Sequence, residues 1–102
     1  MNEKLEKPAL IEKLHSETAK IAWSELQKFF AQGSVLLVSA ELDLVTTAAL
    51  IAQDRRAELE PLLTSNKVAA PSNDQAREWF NEGALLWSVV VAPFVLVQQA
   101  EK

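Results

Sequence analysis

This sequence predicts an α+β domain, four or five helices packed on a small mixed β-sheet, and three observations predict it. Apolar residues recur at three- and four-residue spacing in several separate segments, which is the period of a helix buried along one side. Two runs, Ser34–Ser39 and Ala84–Val97, are instead apolar almost throughout, and the second is rich in valine, as strands covered on both faces are. The chain has 102 residues, 49% of them apolar, which suits one domain with its own core. The expected boundaries are a flexible N-terminus over 1–8, the domain over 9–98 and a C-terminal tail over 99–102. Connections long enough for parallel crossovers leave a compact α/β arrangement as the alternative.

The elements follow in order. Ala9 to Ala22 reads as a first helix, with Ile11, Leu14, Thr18, Ile21 and Ala22 along one side and Pro8 in its first turn, where a missing N–H costs nothing. Ser24-Glu25-Leu26-Gln27 has the form of a capping box, so a second helix is expected from Ser24. Leu26, Phe29 and Phe30 give that helix its apolar side and Gly33 closes it; one bent helix is the alternative. Ser34–Ser39 is then a strand, apolar on both faces and so central. Asp43 caps a third helix whose face is Leu44, Val45, Ala48, Ile51 and Ala52. A proline inside a helix costs ~3 kcal/mol, so a fresh short helix is expected just before Pro61, ended by Asn66. Lys67–Ala70 is a short edge strand stopped by Pro71.

Ser72-Asn73-Asp74-Gln75 is a second capping box, followed by Ala76, Trp79 and Phe80 at helical spacing and closed by Gly83. The last apolar run is one bulged strand or two strands broken at Ala92-Pro93, since proline cannot donate to a central ladder. Leu85–Ser88 has a single helical turn as its alternative. Ser24…Gly33 and Ser72…Gly83 echo one another, each glycine falling three residues after an aromatic pair. Shared helix-to-strand grammar is the expected explanation of the echo, with an ancient duplication as the alternative.

Composition excludes several functions. There is no cysteine and one histidine, so disulfides, iron–sulfur clusters, thiolate zinc and multi-histidine metal sites within one chain are out, and no metal or cofactor is expected. Two glycines cannot build a phosphate-cradling loop. Ten basic residues face fourteen acidic ones, and the one adjacent basic pair, Arg55-Arg56, sits between acids, so nucleic acid is not an expected partner. The run Ala84–Val97 is fourteen residues long against the ~20 needed to span a membrane. The N-terminus has mixed charge and no signal-like apolar stretch. These points together suggest a cytoplasmic protein without membrane contact.

Few reactive groups remain. His15 flanks Ile11 and Leu14 and reads as the edge of a packing face. Asp43 and Asp54 return to nearly one helix face but lie ~16 Å apart along it, too far to share a metal ion. Glu78 and Glu82 read as a solvated face. The tryptophans Trp23, Trp79 and Trp87 either fill the core or line a small pocket beside an acid such as Glu17 or Asp43. These five are the candidate ligand residues. The run containing Val89, Val91, Phe94, Val95 and Val97 has no charge and too few polar positions for a wet face, so a homodimer through it is expected.

Certain segments carry a resemblance in combination: Ile21-Ala22-Trp23-Ser24-Glu25-Leu26, Phe29-Phe30-Ala31-Gln32-Gly33, Leu42-Asp43-Leu44-Val45, Ile51-Ala52-Gln53-Asp54, and Val89 through Gln98. From about Leu14 to Gln98 the chain resembles an uncharacterised bacterial family, domain of unknown function 2288. It departs from that family's pattern at Thr46, where an acid is common, and at Phe94, where tryptophan is common. The resemblance implies a stand-alone cytoplasmic protein and supplies no activity, substrate or catalytic residue. Two functions therefore compete: a non-enzymatic interaction or regulatory module that self-associates and meets an as yet unidentified protein partner, or a small-ligand or enzyme-like pocket. A pocket in which an acid meets a tryptophan favours the second.

Overall fold

The computed structural model describes residues 7–100. The expected flexible N-terminus lies outside the described residues except for Lys7 and Pro8, which open the first helix. The chain runs α1 (Lys7–Glu17), β1 (Ala19–Ala22), α2 (Trp23–Ala31), β2 (Val35–Val38), α3 (Leu44–Ala52), α4 (Arg56–Thr64), β3 (Val68–Ala69), α5 (Asn73–Glu82), β4 (Leu85–Val91) and β5 (Phe94–Gln99). Five strands form one mixed sheet in the order β1-β4-β5-β2-β3. All neighbours are antiparallel except β2 and β5, which run parallel. The α+β class therefore holds, with one parallel pair at its heart.

Helices cover both faces of the sheet. Leu14 of α1 and Leu44, Val45, Ala48 and Ala49 of α3 pack against Val38, Val89 and Leu96. Trp23 and Leu26 of α2 with Ala76 and Trp79 of α5 pack against Val35, Leu86, Val95 and Val97. Successive side chains of a strand point to opposite faces, so β5 sends Val95 and Val97 into one core and Leu96 into the other. This explains why the run is apolar without alternation. Of the residues expected at an interface, Val89, Val95 and Val97 are 1%, 5% and 0% exposed, their side chains covered by the chain's own helices. Val91 and Phe94 are half-buried against the α1/α3 core.

Four helices stop in the same way. Ser34, Arg55, Lys67 and Ala84 each donate their N–H to the carbonyl five residues back, at 2.9 Å, and the residue before each has positive φ. At Gly33 (φ 76°) and Gly83 (φ 62°) glycine takes this left-handed position at no cost. Asp54 (φ 55°) and Asn66 (φ 62°) do the same with short polar side chains. The cap at Ser72 is the expected reciprocal box, Gln75 N–H to Ser72 Oγ and Ser72 N–H to Gln75 Oε1, both 3.0 Å.

Three expectations need correction. The first helix ends at Glu17, and Ala19–Ala22 is an edge strand paired with β4; its small residues sit at helical spacing from Leu14, but the ladder with β4 wins. Helix α2 opens at Trp23 with Ala22 at the cap position and no side-chain cap, so Ser24 caps nothing. Helix α4 starts at Arg56, with Pro61 inside it. The break that frees it is the turn at Asp54, and the carbonyl that Pro61 leaves unpaired belongs to exposed Ala57 near the helix start. The final run resolves into β4 and β5, joined through a cis Ala92–Pro93 bond, with Leu85–Ser88 extended and Gln99 inside the strand.

Candidate functional site

Strands β2 and β5 both finish at one end of the sheet, where the chain leaves β2 through residues 39–43 to begin α3. Crevices outside the carboxyl ends of parallel strands are the usual ligand sites of α/β sheets. A cleft lies along this end. Its floor is a row across three strands, Lys20 beside Trp87 beside Gln98, on the same face as Val89 and Leu96. Helices α1 and α3 stop short of the row, so Trp87 stays 38% exposed. The Lys20 ammonium lies 5.0 Å from the centre of the Trp87 ring, within range of a cation–π attraction. Gln98 Nε2 donates to the carbonyls of Ser39 and Leu42 at 2.9 and 2.7 Å. One side chain thus ties β5 to the loop that forms the rim.

The wall opposite is made by His15 at the end of α1, by Thr18 just beyond it, and by Asp43, Leu44 and Val45 at the start of α3. Thr18 Oγ1 donates to Leu14 O at 2.7 Å, turning inward an otherwise free hydroxyl. Asp43 Oδ2 accepts from Thr46 Oγ1 at 2.7 Å and from Thr46 N–H at 2.8 Å. The hydroxyl bond, then the backbone bond, hold the Asp43 carboxyl below the ordinary aspartate range; partial burial opposes them and nearby His15 reinforces them. Asp43 is therefore an ionised cap at the positive end of α3.

The space between wall and floor is about 320 Å³. It shares Trp87 and Gln98 with an adjoining pocket of about 330 Å³ bounded by Lys20, Ala40 and Gln99. These sizes lie at the lower end of the range for small-molecule sites. A third pocket of about 490 Å³ shares Ala40 and Gln99 and continues round the sheet end to Ser72 and Gln75.

Of the five ligand residues expected from sequence, the structure brings Asp43 and Trp87 together. Trp23 and Trp79 are 1% and 2% exposed, their rings edge to face at 5.0 Å, and they belong to the core. Glu17 is exposed on the last turn of α1, outside the lining of this cleft. Sequence reasoning missed Lys20 and Gln98, and it assigned His15 to packing, whereas His15 is exposed and faces the cleft. The available signal was Gln98 itself, the first polar residue after an unbroken apolar stretch. Among the described residues no group of three or more His, Cys, Asp or Glu assembles to hold a metal ion, and no helix is long and apolar enough to cross a membrane.

A family model described as "Protein of unknown function (DUF2288)" matches residues 9–99. The chain belongs to this family. The DUF2288 match takes in every residue of the floor and wall. The chain is also similar to a solved structure described as "NMR solution structure of PA1075 from Pseudomonas Aeruginosa", with 37% identity, a TM-score of 0.79, and coverage of 100% of this chain and 94% of that one. No curated protein matches it.

Proposed function

We propose that this DUF2288 chain is a small binding module of the cytoplasm, the compartment its cysteine-free sequence suggests, and that its ligand cleft lies at the carboxyl ends of β2 and β5. The observation that carries this reading is the partly exposed Trp87 ring, set in a row between Lys20 and Gln98 and facing a wall on which His15 and Asp43 stand beside Leu44 and Val45. An exposed indole offers a flat apolar surface, and a lysine beside it supplies a positive donor. The chemistry fits a small planar molecule with a carboxylate or carbonyl at its edge, stacked on Trp87 with its acceptor toward Lys20. The Asp43 carboxylate is engaged as a helix cap, and its lowered pKa makes it a poor base.

A thermal-shift screen of small aromatic acids and amides tests the reading. A ligand of the native state raises Tm by mass action. Compounds should raise the Tm of the natural chain and leave that of Trp87→Ala unchanged. Equal shifts in both proteins place the site elsewhere.

A further inference from the structure

β4 is seven residues long and its outer neighbour β1 is four. β1 pairs with Leu85 through Ser88 and goes no further, so Val89–Val91 has no strand beside its outer edge among the described residues. The ladder fixes which of these valines faces outward. Trp23 N–H donates to Ala84 O at 2.9 Å, in line with the β1–β4 register. Bonded and non-bonded pairs alternate in an antiparallel ladder. Hence Leu86 and Ser88 aim their backbone groups at β1, and Val90 aims its N–H and C=O at the same edge, past the point where β1 ends. Val89 and Val91 aim theirs at β5. No hydrogen bond to the outer groups of Val90 occurs among the described residues. Val90 is 60% exposed, and no charged residue occurs from Ala84 to Gln98.

The other edges are protected in the usual ways. β1 carries exposed Lys20, and β3 is two residues long with Pro71 just beyond it. The Val90 edge has neither device, since Pro93 sits in the turn and removes no donor here. An unpaired N–H and C=O pointing the same way from an extended residue are satisfied by another extended main chain. A strand paired antiparallel with its own copy is related to it by a two-fold axis, and every residue at such a contact here, Val89, Val90 and Val91, is a β-branched valine.

We propose that a second copy of this chain pairs antiparallel at this edge, with Val90 opposite the partner's Val90. The two residues would exchange both backbone bonds and set β-branched side chains against each other. β1 occupies the ladder on one side and the Ala92-Pro93 turn ends it on the other, so the pairing is short and the dimer dissociates on dilution. This inference stands on a different surface from the ligand cleft and does not depend on it.

Sedimentation velocity across the micromolar range, with hydrogen exchange at each concentration, tests it. The mean mass should rise from 11.3 kDa toward twice that value, and exchange of the Val90 amide should slow in step. Val90→Pro removes the outward donor without breaking a ladder bond within the chain, so it should keep its circular dichroism and remain monomeric. Val90→Thr keeps the backbone groups and the branched side chain and should still dimerise. If Val90→Pro fails to fold, the concentration dependence of Val90 exchange in the natural chain decides. A constant monomer mass with Val90 exchange equally fast throughout overturns the proposal. So does a dimer that survives Val90→Pro.

Discussion

Trp79 and Trp87 show one residue type put to two uses. Trp79 is buried against Trp23 between α2 and α5, whereas Trp87 lies on the sheet face where the helices stop. Removing a buried tryptophan costs about 3–5 kcal/mol, a large share of the roughly 5–15 kcal/mol by which domains are stable. Trp79→Ala should therefore lose about 3–5 kcal/mol and unfold at a much lower urea concentration than the natural chain. Trp87→Ala should cost about 1 kcal/mol or less, from a partly exposed ring and one cation–π contact. Urea unfolding of the two variants measures the difference, and comparable losses would mean Trp87 is part of the core. Asp43 makes a prediction in pH. Its folded pKa is lowered, so its stabilising contribution is present above the unfolded value of about 3.9. That contribution is lost as pH falls through the lower folded value. Asp43→Ala should cost about 1 kcal/mol near neutrality, and the gap between the two proteins should close in acid. A gap that persists well below the folded pKa would show that the carboxylate charge is irrelevant to the cap.

At the scale of elements, sequence signals were sound where they were local. Ser72 with Gln75, Asp43 before Leu44, and Gly83 after Glu82 are caps made by neighbours, and each appears where its spacing placed it. Ser24 had the same local form and failed, because Ala19–Ala22 is drawn into a ladder with β4, more than sixty residues away, and α2 begins at once from that strand. Long-range pairing leaves no mark in a four-residue stretch whose apolar spacing also suits a helix. Pro61 misled for a related reason: the true break lies at Asp54, whose left-handed turn carries no glycine. The two serines give a paired test. Ser72→Ala should destabilise by about 1 kcal/mol through loss of the box, while Ser24→Ala should stay within about 0.5 kcal/mol. Thermal or urea midpoints decide, and equal losses would restore a capping role to Ser24.

At the scale of the molecule, the two-sided burial of the sheet and the alternation of β5 between two cores were legible as an apolar run, but the direction of its consequence was not. An unbroken run must be covered on both faces, and only the structure shows that α1, α3, α2 and α5 of the same chain do so. The cleft was half legible. Asp43 and Trp87 stood out by residue type, whereas Lys20, Gln98 and His15 acquire a role only through register and through where two helices stop. Gln98 also holds the rim loop. Gln98→Leu should cost roughly 1–2 kcal/mol by leaving two part-buried carbonyls without their donor, and should speed amide exchange over residues 39–42. Unchanged stability and exchange would mean the loop holds itself. The most direct measurement of the cleft is a proton–nitrogen NMR titration of the full chain with a library of small planar fragments bearing a carboxylate or carbonyl. Binding at the proposed site moves the amides of Lys20 and Gln98 and the indole of Trp87 together, while the indoles of Trp23 and Trp79 stay in place. Fragments that bind but centre their shifts on any other surface, or a library that leaves the Lys20–Trp87–Gln98 row unmoved, would contradict it.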